Sequence, residues 1–130
     1  MAHQNEELIR RGYAAFASGD MDTLRQLFAP DIVWHSGGRN LLSGEYRGID
    51  QVLQFFGRLF ELSEGSFQIE LHDVLANDEH AVAVINTRAS RGGRQMETRD
   101  THVFNMRDGR ATEFWALSFD PYVVDEVFAR

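Results

Sequence analysis

Asp108-Gly109 stands between two apolar-rich runs in the segment THVFNMRDGRATEFWALSFD, residues 101–120. A two-residue Asp-Gly connection favours a type I′ turn, because both central residues take positive φ and glycine does so without strain. The segment is therefore read as a β-hairpin. Its aromatic strands, Arg94 to Arg107 and Arg110 to Phe119, need other elements to cover at least one face.

The rest of the chain supplies them. From Gln4 to Ser18, Leu8, Ile9, Tyr13 and Phe16 recur at three- and four-residue spacing between charged residues, which predicts an amphipathic helix. Gly19 ends it, Asp20 caps a short second helix carrying Leu24, Leu27 and Phe28, and Pro30 closes the helical region. Asp31 to Ser36 reads as a strand. Gly37 to Gly48 holds four glycines among Leu41, Leu42 and Tyr46 and reads as a mobile loop with apolar anchors, a candidate lid. Val52, Phe55, Phe56, Leu59 and Phe60 then form a wide apolar stripe on a third helix, Asp50 to Leu62.

After Gly65 the period drops to two. Phe67, Ile69 and Leu71 alternate with polar residues, a turn follows at Asn77-Asp78-Glu79, and His80 to Ser90 is a second strand that Gly92-Gly93 turns into the hairpin. Asp120-Pro121 starts a last short helix, PYVVDEVF. The expected fold class is α+β, with a four-strand meander and an early strand that finds an edge. A strongly curved, mainly antiparallel sheet of this kind, wrapped around three N-terminal helices, makes a cone that encloses an apolar pocket.

Length and charge bound the function. At 130 residues, one domain is expected over the whole chain. A formal charge of -7 argues against nucleic acid and anionic membrane as partners. Zero cysteines exclude disulfides and thiol catalysis, and the five histidines show no metal-ligand spacing, so neither metal nor cofactor is expected. With a polar start, MAHQNEELIRR, and no apolar run near the ~20 residues of a membrane span, the expected location is cytoplasmic.

YAAFASGDMDTLRQLFAPDIVWHS, from Tyr13 to Ser36, resembles the opening of the nuclear transport factor 2-like superfamily, with Gly-Asp between two helices and Phe-Ala-Pro-Asp leading into the first strand. HVFNMRDGRATEFW resembles its closing strands, especially in the SnoaL-like and ketosteroid-isomerase-like members. With the element order, the resemblance covers essentially the whole chain. It implies the cone fold and a spread of activities: isomerases, polyketide cyclases, dehydratases, epoxide hydrolases and non-catalytic members. The isomerases' helix-one tyrosine falls nearer Gly12 than Tyr13. Their general-base aspartate falls at Ser36, and their protonated aspartate falls near Thr101 or His102. The last-strand acid of the cyclases has only Asp120 nearby.

The residues themselves nominate a site. Asp100, His102, Phe104 and Met106 share one face of their strand, and Thr101, Val103 and Asn105 the other. If the even face lines the pocket, His102 is the acid/base and Asp100 orients it, with Tyr13 or His35 polarising an oxygen. Asp120 is a further catalytic candidate, although Asp before Pro is also what a helix start requires. The expected ligand is a small apolar molecule, possibly polycyclic, against Phe16, Trp34, Ser36, Phe55, Phe56, Leu59, Phe104, Phe114 and Trp115. The alternatives are a non-catalytic member that binds a hydrophobic ligand and one that binds a partner domain. Because Phe114 and Trp115 point to opposite sheet faces, the outer face needs a cover, most simply a second copy in a homodimer.

Overall fold

The computed structural model describes residues 3–130. Helix α1 spans Gln4–Ser18, α2 Met21–Leu27, α3 Ile49–Leu62 and α4 Pro121–Val127, and the strands are β1 Phe28–Ser36, β2 Gly44–Arg47, β3 Gln68–Ala76, β4 His80–Arg91, β5 Arg94–Arg107 and β6 Arg110–Ser118. All six strands join one sheet in the order β2-β1-β6-β5-β4-β3. Only the β1–β6 pair is parallel. The class is α+β, as the pattern of elements implies.

Local chemistry sets the joints. Gly19 takes φ 73° and closes α1 in a left-handed cap, and the Asp20 side chain accepts from the Thr23 N–H to start α2. Asp108 and Gly109 both have positive φ, 51° and 76°, the geometry that a type I′ turn demands. At its other end α1 is pinned by the buried Asn5, whose amide donates to the carbonyls of Asn77 and Asp78 in the β3–β4 turn. Register shifts between Phe28 and Val33, Leu71 and Asp73, and Asn105 and Met106 bend three of the strand pairs. That bending lets the sheet wrap around α1 and α3.

Two expectations need correction. Pro30 does not close a helical region: the first strand begins at Phe28, because an irregular stretch of the β1–β6 ladder leaves the proline's missing N–H without a partner to lose. The Gly37–Gly48 stretch is not one loop either. Residues 44–47 form β2 and outflank β1, so the early strand lies inside the sheet, and Asn40 and Leu42 are buried.

The core fills the concave side. Phe55, Phe56 and Val52 of α3, Ile9 of α1 and Leu24 and Leu27 of α2 are buried against Ile32, Trp34, Phe104 and Phe114 of the sheet. The strands meet these bulky groups with small ones: Ala81, Ala83 and Ala89 of β4 and Ala111 of β6 are all buried. Aromatic helices facing an alanine-rich sheet leave unfilled volume between them. Among the described residues, no helix is long and apolar enough to cross a membrane.

Candidate functional site

The unfilled volume is a cavity of about 310 Å³ between the helices and the inner sheet face. The register fixes which side chains reach it. Residues directly opposite in an antiparallel pair share a face, so His102 of β5 sits in a row with Ala83 of β4 and Ala116 of β6, and Asp100 sits opposite Ser118. Asp100, His102, Phe104 and Met106 all line the cavity. The even face of β5 is the inner one.

On that face, polar residues interrupt what would otherwise be an apolar wall. Tyr13 reaches down from α1; its ring stacks on His102, with centroids 5.8 Å apart, and its hydroxyl is hydrogen-bonded to His102 Nδ1. His102 also packs edge-on against Phe114, at 4.6 Å, and Trp34. Such enclosure disfavours charge. Burial pushes the His102 imidazole down to about 3 and the Tyr13 phenol well above its ordinary value. The surface His102 retains is where it lines the cavity, so the neighbourhood that sets its ionisation is protein rather than bulk water. Both groups of the pair are neutral across the physiological range.

Asp100 does not orient His102. Its Oδ1 accepts from Thr98 Oγ1 at 2.9 Å, and the imidazole's protein partner is Tyr13. Alternation puts Thr98, Asp100 and His102 side by side on one strand face, and Asp100 pairs with Thr98 while His102 pairs with Tyr13. Phe16, Trp34, Ser36, Phe55, Phe56 and Leu59 line the same cavity.

Four residues expected at the site lie elsewhere. His35 and Trp115 are on the outer sheet face, because Trp34 and Phe114 take the inner positions and neighbours along a strand alternate. There His35 stacks on Trp115 at 5.2 Å, with Nε2 2.7 Å from Glu113 and Nδ1 3.5 Å from Glu45. Phe114 is fully buried behind the wall, stacked on Trp34. Asp120 stays outside the cavity as the cap of α4, accepting from the Val123 N–H.

The pattern reading missed the far wall. Helix α4 folds back so that Pro121, Val124, Asp125 and Phe128 close one end of the cavity. Their spacing of three, four and seven residues was the available signal. Asp125 ties this helix to the loop over 37–43: its Oδ1 accepts from the Arg39 N–H at 2.7 Å and from Asn40 Nδ2 at 2.9 Å, while the Leu41 N–H donates to the Phe128 carbonyl. The stretch read as a lid is a clasped corner.

With this geometry established, comparison with known proteins gives the family. The SnoaL-like domain profile matches residues 9–114. The chain belongs to the SnoaL-like family. An uncharacterized protein from Mycobacterium tuberculosis is 36% identical over 124 residues, which cover 95% of each chain. Bal32a, from a soil-derived mobile gene cassette, superposes with a TM-score of 0.92 at 36% identity, covering 96% of both chains. IdmH of Streptomyces antibioticus, described as a candidate polyketide cyclase, shares the fold with a TM-score of 0.76 at 24% identity, over 95% of this chain and 98% of its own.

Proposed function

We propose that this SnoaL-like protein is a cofactor-independent acid–base enzyme that moves a proton on a small apolar carbonyl compound, as an isomerase, cyclase or dehydratase does. The observation that carries the reading is the Tyr13–His102 hydrogen bond inside an apolar cavity. Desolvation makes an imidazolium costly there, so His102 works as a neutral group. A neutral imidazole bonded to a neutral phenol is a relay with a free acceptor at one end and a free donor at the other.

Consider the tautomer with the proton on Nδ1. Nε2 takes a proton from the carbon beside the carbonyl as that C–H bond breaks and a C=C bond forms. The Nδ1 proton passes to the Tyr13 oxygen, and the Tyr13 hydroxyl proton passes to the carbonyl oxygen, leaving an enol. Every group ends neutral. Returning the Nε2 proton to a different carbon, while Tyr13 takes back the enol proton and returns its own to Nδ1, completes an isomerisation and resets the pair. Asp100, one alternation away on the same face, would contact a polar substituent of the substrate. Ring closure by carbon–carbon bond formation begins with the same loss of a carbon-bound proton, which fits the description given to IdmH.

The test uses α-tetralone in heavy water. The protein should accelerate hydrogen–deuterium exchange beside the carbonyl, and His102→Gln or Tyr13→Phe should remove the acceleration. Exchange at the buffer rate while the ketone is measurably bound would sink the catalytic reading. That outcome would favour a non-catalytic binder, for which the specific observation is Ser36: it lines the cavity where the ketosteroid isomerases place their base, and it is no carboxylate.

The sheet's outer face supports a separate proposal, a homodimer. Trp115, Val103, Val82 and Leu75 stand opposite one another across β6, β5, β4 and β3, forming an apolar row on that face, with Leu75 57% exposed. A two-fold axis across such a row would cover it with its own copy.

A further inference from the structure

The inner face of β5 changes character along its length. Phe104 and Met106 give an apolar end, and His102, Asp100 and Thr98 give a polar one. Across the sheet, Ser118 of β6 stands directly opposite Asp100. Both of these residues line the cavity. All 13 basic side chains of the sequence are arginines, and none lines the cavity, so no cation stands beside Asp100 there.

Asp100 is half-buried, and the protein uses only one of its oxygens. Thr98, 6% exposed, donates to Oδ1 at 2.9 Å and so fixes the carboxylate, while Oδ2 accepts from no described residue and is not enclosed. Ser118 complements it. Its Oγ accepts from the Asp120 N–H at 3.2 Å, and its hydroxyl proton has no acceptor among the described residues. Directly opposite residues of an antiparallel pair hold their Cβ atoms about 5 Å apart, so one small group can reach both side chains.

That group has to donate to Asp100 and accept from Ser118. A hydroxyl does both, whereas an ether or ketone oxygen only accepts and would face the carboxylate's lone pairs. An ammonium would pair with the carboxylate, but it has no lone pair for Ser118, and the apolar remainder of the cavity makes stripping its water costly. Position adds a second constraint. Asp100 and His102 are two residues apart on one strand, about 7 Å, which is the span of one benzene ring with an oxygen at each end. A ring also suits the aromatic walls, Trp34, Phe55 and Phe56.

Resting on the acid–base reading above for where the carbonyl lies, we propose that Asp100 and Ser118 form a hydroxyl-selective subsite, and that the substrate is a hydroxyaryl ketone held at both ends. Thr98 is the positioning residue of this subsite, because it holds one carboxylate oxygen and leaves the other for the ligand.

The test measures binding and needs no turnover. α-Tetralone and its derivatives with a hydroxyl, a methoxy or an aminomethyl group para to the carbonyl are titrated by calorimetry at slightly acid pH, where the phenol stays protonated. The hydroxy ketone should bind at least about tenfold more tightly than each of the other three, as a hydrogen bond to a charged group implies. Asp100→Asn, whose amide oxygen still accepts, should keep part of that preference, and Asp100→Leu should keep none. The ligand comparison on the unaltered protein stands even if Asp100→Leu fails to fold. A methoxy or ammonium compound bound as tightly as the hydroxy ketone, a hydroxyl preference that survives Asp100→Leu, or no binding by any of the four overturns the subsite. A hydroxyl preference without proton exchange beside the carbonyl overturns the catalytic reading alone, and exchange without the preference overturns the subsite alone.

Discussion

Replacing His102 by Gln should flatten the acid limb of the protein's stability curve, and the size of the change follows from burial. In the unfolded chain a histidine titrates near 6.5, whereas in the folded protein enclosure holds His102 at about 3. The folded-state value lies below the unfolded one. Between them the unfolded state binds a proton that the folded state refuses, so stability is complete above the unfolded value and is lost as pH falls toward 3. Each pH unit in that window costs about 1.4 kcal/mol, so moving from about pH 6.5 to about pH 4.5 should remove about 2.5 kcal/mol through this one group. Glutamine does not titrate, and its side-chain carbonyl can still accept from Tyr13. Urea unfolding of both proteins at half-unit pH steps gives the difference curve, in which the carboxylate contributions common to both cancel. It should rise toward neutral pH and level off above about 6.5. A flat difference curve would show that the imidazole ionises freely in the folded state, and with that the neutral relay would fail.

Two other perturbations test the clasped corner and the outer face. At Gly38, φ is +83° and an added Cβ would lie 2.6 Å from Asp125 Oδ1 and 3.0 Å from Asn40 Nδ2, so Gly38→Ala should cost about 1–3 kcal/mol and open the loop over 37–43 to limited proteolysis. Trp115→Glu puts a charge at one end of the apolar outer row, so light scattering at micromolar concentration should give a dimer mass for the parent and a monomer mass for the variant; a monomeric parent would refute the homodimer.

The fold was legible because its strongest signals are local. Asp108-Gly109 sets the hairpin by turn geometry alone, and the stripes of α1 and α3 repeat long enough to decide their period. What escaped depends on contacts distant in sequence. β2 is four residues long, exposed or half-exposed, and exists only because β1 offers it an edge. Asp125 reads locally as an ordinary helical acid; its role depends on Arg39 and Asn40, some 85 positions earlier. The site was legible to the same degree. Alternation grouped Asp100, His102 and Phe104 on one face, but it could not supply Tyr13 as the partner of His102, and it admitted only one of His35 and Trp34 to the inner face; the resemblance favoured Trp34, which the β1–β6 register places there.

The shape of the cavity rests on small residues, and that makes it separable from stability. Ala116 stands opposite His102 and lines the cavity, so the branched side chain of Ala116→Leu would extend into void beside the relay. Overpacking a close-packed core costs about 1–3 kcal/mol, but a side chain entering empty volume gains contacts instead. Ala116→Leu should therefore leave thermal stability unchanged or slightly raised while weakening α-tetralone binding by at least about tenfold, a loss that calorimetry can read directly. A large drop in melting temperature would mean that the side chain meets packed atoms. Unchanged ketone binding would place the ligand away from His102, and no acid–base role for Tyr13 and His102 would survive that result.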